Sequence, residues 1–203
     1  MIAIIDYGAG NVRSVEKALQ YVGCETQLTA DAEVIEKADG IVLPGVGAFG
    51  DAMASLRRSG ADEIVRKGIA SGKPFLGVCL GLQVLFERSE ETPGVEGLGA
   101  FRGEILRIPS EGGLKVPHIG WNSIECDREC PLFKGLPEQP YVYFVHSYYL
   151  KAAQPIVSAT AQYGVEIHAA VWHENCFAVQ FHPEKSGDVG LTMLENFKKL
   201  TTV

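Results

Sequence analysis

The chain has 203 residues, of which 46% are hydrophobic and 21% are charged, and this composition is typical of one soluble globular domain. Its formal net charge of −7 argues against a nucleic-acid partner, because binding to a phosphate backbone needs clustered Lys and Arg. No apolar stretch approaches the roughly 18 residues that cross a bilayer, so we expect no membrane role.

The amino-terminal segment and the cysteines predict a cytoplasmic protein. Residues 1–6 are apolar but lack a basic leading region and end in Asp6, so they are interpreted as a strand and not as a secretion signal. The five cysteines are odd in number and scattered, which favours reduced thiols over a disulfide framework. Cys126 and Cys130 are close in sequence, but a metal site there would need two more ligands. We therefore expect a solvent-side loop, no metal and no other cofactor.

The first half of the chain alternates apolar strands with amphipathic helices, which predicts βαβ units and a parallel sheet covered on both faces. The predicted elements are, in chain order, a strand over 1–6, a helix capped by Asn11 and stopped by Gly23, a strand over 25–28, a short helix capped by Asp31, a strand over 41–43, helical segments over 51–70 and a strand over 75–78.

The second half contains closely spaced strand candidates, which predict an antiparallel or mixed extension of the sheet. They cover residues 101–108, 121–125, 141–150, 156–161, 167–172 and 176–181, with turns at Gly112-Gly113 and 137–140, and Ser186 caps a terminal helix. No flexible linker separates the two halves. We expect one α/β domain over residues 1–203.

Cys79 is the candidate nucleophile of this chain. It is the centre of a G-x-C-x-G sequence, Gly77 to Gly81, placed directly after an apolar strand. At a tight strand-to-helix turn the glycines relieve crowding, so the central side chain projects outward and the positive end of the next helix favours a thiolate. The alternative is a small buried cysteine between two packing glycines.

His182 and Glu184 are the candidate base and the residue that orients it. His182 ends the last predicted strand, and the carboxyl ends of strands in an open α/β sheet lie together, so its side chain can meet Cys79. Glu184 could then fix the imidazole tautomer and support the imidazolium. Alternatively, His182 is a strand-end histidine bonded to backbone, and Glu184 is a solvated charge.

Two glycine-containing loops follow predicted strands. The loop over 43–50 could supply backbone N–H groups of Val46 and Gly47, which with the N–H of Leu80 would form an oxyanion hole, although a simple Gly-Pro turn is the alternative. The loop over 8–11 resembles the start of a phosphate loop but lacks its further Gly and Lys residues, so we interpret it as a hinge or contact loop.

Taken together, these motifs resemble the triad, or class I, glutamine amidotransferases. The resemblance lies in Cys79 within residues 77–83 and in His182-Pro183-Glu184 about a hundred residues later. The segments over 44–49, 115–122 and 143–149 are similar to the glutaminase subunits of imidazole glycerol phosphate synthase. The resemblance covers the whole chain and implies a flavodoxin-like α/β fold, with a mixed, mostly parallel sheet, helices on both faces and an antiparallel extension.

The resemblance also implies a reaction and a partner. Cys79 would attack the side-chain amide of glutamine to form a thioester, His182 would act as acid and then as base, and Glu184 would orient it. The ammonia would pass to a (β/α)₈-barrel cyclase subunit, which makes imidazole glycerol phosphate and an aminoimidazole carboxamide ribonucleotide in histidine biosynthesis.

Further residues match family positions with binding roles. The resemblance implies that glutamine is held by Gly45, Gln83, Ser147 and Tyr148, with Gly47 beside them, and that the cyclase subunit is contacted by Asn11, Trp121, Tyr143 and Lys185. Without the resemblance, Trp121 would be assigned to the core and Gln83 to an exposed helix face. His118 and His146 are further candidates for the docking face. Ala9 departs from the proline that is common in the corresponding loop of the family.

Three other functions compete with this interpretation. A glutaminase subunit for anthranilate or pyridoxal phosphate synthesis would share the triad, but the segment over 117–122 argues against it. A non-catalytic regulatory module of the same fold would not need all three triad residues. A cysteine peptidase or chaperone-like relative would not need His182 and Glu184 two residues apart.

Overall fold

The computed structural model describes residues 1–110 and 113–201. In the first half, strands and helices alternate as β1 (Ile2–Ile5), α1 (Val12–Tyr21), β2 (Thr26–Thr29), α2 (Ala32–Lys37), β3 (Gly40–Leu43), α3 (Phe49–Ser59), α4 (Ala61–Ala70), β4 (Phe75–Val78) and α5 (Leu80–Gln83). The second half consists of β5 (Arg88–Ser89), β6 (Gly103–Arg107), β7 (His118–Ser123), β8 (Glu125–Cys126), β9 (Tyr141–His146), β10 (Tyr148–Ala152), β11 (Val157–Tyr163), β12 (Val165–His173), β13 (Cys176–Val179) and α6 (Gly187–Leu200).

The main sheet has eight strands among the described residues, in the order β2-β1-β3-β4-β13-β12-β11-β8. The pairs from β2 to β13 are parallel, and those from β13 to β8 are antiparallel. This confirms the predicted mostly parallel sheet with an antiparallel extension. The pairing also places β13 directly beside β4, so that the two strands end at the same edge of the sheet.

Both faces of the sheet are covered at its centre, since β1, β3, β4 and β13 are buried along their whole length. Ile2 and Ile4 of β1 pack in one apolar cluster with α1 and α6, whereas Ala3 and Ile5 pack in the other with α2, α3 and α4. Alternate residues of a strand point to opposite faces, which explains why β1 is an unbroken apolar run.

Strands β7 and β9 form a separate antiparallel ribbon with one buried and one open face. Val142, Phe144 and His146 of β9 are buried, and Trp121 and Tyr141 lie on the other face with more than half of their surface exposed. Successive side chains of a β-strand point to opposite faces, so every second side chain of the ribbon lies on its open face.

Asn11 and Ser186 occupy the predicted N-cap positions of α1 and α6, but neither side chain makes a cap hydrogen bond. Asn11 precedes α1 in the left-handed conformation, with φ 68°, and its side chain makes no cap hydrogen bond. Ser186 precedes α6 without a side-chain cap, because its hydroxyl donates to the carbonyl of His182. The predicted cap at Asp31 is confirmed, since its carboxylate accepts from Glu33 N at 2.9 Å.

Other expectations about the second half also change. The predicted strand over 141–150 is two strands, β9 and β10, divided at Ser147. Cys130 does not lie in a solvent-side loop but is 1% exposed, and burial raises the pKa of its thiol to about 11. Gly112 of the predicted Gly112-Gly113 turn lies outside the described residues. Within the described ranges, no helix is both long and apolar enough to cross a membrane.

Candidate active site

Cys79 occupies a sharp turn between β4 and α5. Its backbone has φ 56° and ψ −108°, a conformation that costs a non-glycine residue about 1–3 kcal/mol and that surrounding structure must enforce. The flanking glycines are required sterically: a Cβ on Gly77 would lie 2.8 Å from Gly81 O, and one on Gly81 would lie 1.9 Å from Leu43 O. The G-x-C-x-G pattern therefore reflects close backbone packing around one strained cysteine.

The neighbouring strand brings His182 to the same edge of the sheet. Val179 of β13 pairs with Val78 of β4, and the backbone N–H of Cys79 donates to Val179 O at 2.8 Å. His182 follows three residues after Val179 and is fully buried. The two side chains thus leave adjacent parallel strands at their carboxyl ends, which is the predicted arrangement.

Glu184 orients the imidazole of His182. His182 Nδ1 lies 2.7 Å from Glu184 Oε1, and the Glu184 side chain is only 1% exposed. Asn11 Nδ2 donates to the same oxygen at 2.6 Å. A carboxylate oxygen accepts only, so Nδ1 carries a proton and Nε2 is the ring nitrogen that remains for proton exchange with Cys79.

The electrostatics of the site favour a protonated His182. Burial opposes its charge, but the hydrogen bonds and charges of Cys79 and Glu184 prevail and raise the pKa of His182 to about 9. Burial likewise disfavours ionised Glu184, yet the hydrogen bonds from His182 and Asn11 lower its pKa below the ordinary value. Glu184 Oε2 and His182 Nε2 are buried without a hydrogen-bond partner of ordinary geometry among the described residues.

Cys79 opens onto a cavity of about 440 Å³. This volume suits one amino acid. The lining residues are Val46, Gly47, Cys79, Leu80, Gln83, Glu91, Pro117, Val145, His146, Ser147, Tyr148 and Lys185.

Most residues predicted to hold glutamine line this cavity. Gln83 is 5% exposed and lies on α5, so the alternative of an exposed helix residue is wrong. Ser147 and Tyr148 follow β9 and face the cavity. Gly45 does not line it; its Cα packs against Tyr7, where a Cβ would lie 2.4 Å from the hydroxyl oxygen.

The three predicted oxyanion residues lie together, but one donor is occupied. Val46 and Gly47 line the cavity beside Leu80, and Gly47 has φ 108°, a conformation that favours glycine. The N–H of Leu80 donates to Gly45 O at 3.2 Å. In this conformation the loop over 43–50 therefore occupies the Leu80 N–H, which was predicted to donate to an oxyanion.

The residues predicted to contact a partner divide into two groups. Trp121 is 56% exposed, which excludes the core alternative, and its ring lies 6.0 Å from that of Tyr143 on the open face of the β7–β9 ribbon. Lys185 is also exposed, at the mouth of the cavity. Asn11 forms the second group: it is half-buried, and its side-chain amide points inward and donates to Glu184.

His118 and His146 were predicted to lie on a docking face, and this prediction was wrong. They lie on the buried face of the β7–β9 ribbon. They are 3% and 6% exposed, and His118 Nδ1 lies 2.9 Å from His146 Nε2. His146 Nδ1 lies 2.9 Å from the carbonyl of Tyr148, which only accepts, so this nitrogen carries the proton. Burial lowers the pKa of each imidazole to about 4.

Sequence reasoning missed three residues of the site. Asn11 was assigned to a helix cap and a partner surface, not to Glu184. Glu91 lines the cavity, and its Oε2 accepts from Phe49 N at 2.7 Å. Gln180 is fully buried on the segment before His182, with Nε2 3.8 Å from Cys79 Sγ. A polar residue within the apolar run over 178–181 was the available signal for Gln180.

Known proteins resemble this chain over nearly its whole length. The family model for "Glutamine amidotransferase class-I" matches residues 3–200. The imidazole glycerol phosphate synthase subunit HisH of Caldanaerobacter subterraneus subsp. tengcongensis is 49% identical over 201 residues, covering 98% of both chains. The HisH subunit of Methanothermobacter thermautotrophicus is 50% identical over 200 residues, again covering 98% of both.

Solved structures show the same fold at lower identity. A crystal structure of a glutamine amidotransferase has a TM-score of 0.76 at 21% identity and covers 100% of both chains. A chain of PurLQS from Thermotoga maritima has a TM-score of 0.76 at 20% identity, covering 98% of this chain and 97% of that one. The chain therefore belongs to the class-I glutamine amidotransferase family and, within it, to the HisH subunits of imidazole glycerol phosphate synthase.

Proposed function

We propose that this chain is the glutaminase subunit of imidazole glycerol phosphate synthase and hydrolyses glutamine to glutamate and ammonia. The observation that carries the proposal is the strained Cys79 beside His182, whose Nδ1 is 2.7 Å from buried Glu184, at a cavity of about 440 Å³. A nucleophile, a base and an orienting carboxylate in this order are the parts that acyl transfer needs.

The reaction proceeds through a thioester. The Cys79 thiolate attacks the Cδ atom of glutamine, and the carbonyl electrons move onto oxygen. His182 gives its Nε2 proton to the amide nitrogen as the C–N bond breaks, so ammonia leaves. Neutral His182 then takes a proton from water, and the resulting hydroxide attacks the thioester to release glutamate and the thiolate. Glu184 stabilises the imidazolium in both half-reactions because its carboxylate lies on Nδ1.

The cavity offers complementary charges to an amino acid. Glu91 and Lys185 line it with opposite charges, so we assign the α-ammonium group of glutamine to Glu91 and its α-carboxylate to the side of Lys185. Gln83, Ser147 and Tyr148 supply uncharged hydrogen-bonding groups. These assignments place the side-chain amide at Cys79.

The loop over 43–50 must rearrange before all three predicted N–H donors can stabilise the tetrahedral intermediate. The N–H of Leu80 is taken by Gly45 O, and a donor to an oxyanion is worth about 3 kcal/mol. Release of this bond would free Leu80 N–H, with the N–H groups of Val46 and Gly47 beside it. We expect low glutaminase activity of the chain alone, and activation when a partner shifts the loop.

The partner is a cyclase subunit that consumes the ammonia, a (β/α)₈ barrel by the resemblance, in histidine biosynthesis in the cytoplasm. We assign its docking site to the open face of the β7–β9 ribbon, where exposed Trp121 and half-buried Tyr143 present aromatic surface next to Val145 and Lys185 at the cavity mouth. We also assign Asn11, whose amide donates to Glu184, to the contact with the cyclase subunit. We assign no partner role to nucleic acid or to a membrane.

A glutaminase assay with alternative partners tests the proposal. We expect ammonia release to rise when the cyclase subunit and its nucleotide ligand are added, and to vanish in Cys79→Ala. Stimulation by an anthranilate synthase partner with none from the cyclase would refute the assignment to imidazole glycerol phosphate synthase. Full activity of Cys79→Ala would refute the glutaminase mechanism.

A further inference from the structure

We propose that Gln180 is a positioning residue for Cys79: its side-chain amide donates to the sulfur, and Gln83 fixes the orientation of that amide. The inference rests on the proposed function, because it concerns the nucleophile of that reaction. It assigns to Gln180 a role that the G-x-C-x-G and His-Pro-Glu motifs do not contain.

The burial of Gln180 is the first observation. Gln180 is fully buried, as are its sequence neighbours Val179 and Phe181. Burying a polar amide is unfavourable unless its hydrogen bonds are satisfied, and a Leu or Met in this place would avoid that cost. The amide is satisfied by two residues of the site: Oε1 accepts from Gln83 Nε2 at 2.9 Å, and Nε2 lies 3.8 Å from Cys79 Sγ.

The carbonyl of Tyr148 determines which way both amides point. Gln83 Nε2 lies 3.1 Å from Tyr148 O, and a backbone carbonyl only accepts, so the NH₂ group of Gln83 must face it. The same NH₂ group contacts Gln180, so the oxygen of Gln180 must face Gln83. Gln180 is then left with its NH₂ group on Cys79.

This fixed orientation has two chemical consequences. A donor beside the sulfur is more favourable for a thiolate than for a thiol, because hydrogen bonds to an ionised acceptor are stronger. Both N–H groups of Gln83 are used within the protein, which leaves its carbonyl oxygen to a ligand in the cavity. Gln180 therefore acts through Cys79 and Gln83, without touching the substrate.

Charged groups around Cys79 share control of the thiolate. The titratable side chains at the sulfur, in its cavity or on His182 are Tyr7, Glu91, His146, Tyr148, His182, Glu184 and Lys185. A substitution of Gln180 leaves all of them in place, so a change in the behaviour of Cys79 is attributable to the amide.

The test is the pH profile of Cys79 alkylation by iodoacetamide, measured on the full chain by peptide mass spectrometry. Gln180→Met keeps the length of the side chain but removes the donor. We expect the alkylation profile of Cys79 to move by about one pH unit to higher pH, which slows the reaction about tenfold on the rising limb of the profile, because the lost donor favours the thiolate over the thiol. The other cysteines report on local unfolding in the same samples.

A second variant covers the case in which Gln180→Met does not fold. Gln180→Glu keeps an oxygen for Gln83 Nε2 but replaces the donor at the sulfur with a second oxygen. In the complex with the cyclase subunit, we expect kcat for glutamine to fall at least tenfold with KM within about threefold, because Gln83 keeps its partner.

The matched control is another buried amide remote from Cys79. Asn196 on α6 is 6% exposed and donates to the carbonyls of Leu132 and Lys134. Asn196→Leu should lower stability yet leave the alkylation profile of Cys79 unchanged. An unchanged profile in folded Gln180→Met, together with an unchanged kcat in Gln180→Glu, would overturn the inference; loss of glutaminase activity in Cys79→Ala would still support the proposed function.

Discussion

Glu184→Gln is the substitution that isolates the charge of the orienting carboxylate. Glu184 Oε1 accepts from His182 Nδ1 at 2.7 Å and from Asn11 Nδ2 at 2.6 Å. The carbonyl oxygen of a glutamine can occupy the same place and keep both hydrogen bonds. The variant therefore loses the negative charge but not the orientation of the imidazole.

The magnitude follows from the burial of this pair. The His182 and Glu184 side chains are 0% and 1% exposed, so an imidazolium without its carboxylate would be an uncompensated buried charge. Such a loss costs about 3–5 kcal/mol, which corresponds to a fall in kcat of about 10²- to 10⁴-fold. The pKa of His182 should also fall below about 9, because the Glu184 charge helps to raise it. KM should stay within about threefold, since Glu184 does not line the cavity.

Steady-state ammonia release by the complex with the cyclase subunit measures these constants across pH. Glu195→Gln, an exposed substitution on α6, is the matched control and should behave like the wild type. If Glu184→Gln retained kcat within about fivefold of the wild type at pH 7, the role given to the carboxylate would be wrong.

Three further substitutions or conditions give separate outcomes. The pKa of His118 and of His146 is lowered to about 4, so the stability that each neutral imidazole contributes is complete above pH 6.5 and is lost as pH falls through 4. The free energy of unfolding in urea should be lower at pH 5 than at pH 7.5 by about 2 kcal/mol for each imidazole, and NMR titration of either imidazole near pH 6.5 would contradict this. Gly81→Ala should lower the free energy of unfolding by about 3 kcal/mol or more, because its Cβ would lie 1.9 Å from Leu43 O; a wild-type urea midpoint would refute the packing argument. Trp121→Ala should weaken binding to the cyclase subunit by about 2 kcal/mol in calorimetry without changing the unfolding midpoint, and unchanged affinity would remove the ribbon from the docking site.

The parts of the site that sequence predicts best are those fixed by local backbone geometry. Gly77 and Gly81 mark the turn around Cys79 because backbone atoms lie where a side chain would be. His182 and Glu184 are two residues apart, so the strand end that positions one also positions the other. The strand alternation that predicts a parallel sheet then brings the two motifs to one edge.

The parts that sequence could not give depend on contacts between distant segments. Asn11 is 173 residues from Glu184, and its left-handed backbone directs its amide away from the helix it precedes. Gln180 is 97 residues from Gln83, and an isolated glutamine in an apolar run does not indicate its partner. Ser186 is suited to a cap by residue type, but its hydroxyl instead accepts from Tyr143 N, 43 residues away, and donates to the carbonyl of His182. In each case a tertiary hydrogen bond outweighs the local preference.

Trapping the acyl-enzyme tests the central claim most directly. The complex with the cyclase subunit is mixed with glutamine, quenched in acid during turnover and digested, and its peptides are weighed by mass spectrometry. The account predicts one γ-glutamyl group on the peptide that contains Cys79 and none on that peptide in Cys79→Ala, which should also release no ammonia. Ammonia release without an adduct on Cys79, or with the adduct on another residue, would contradict it.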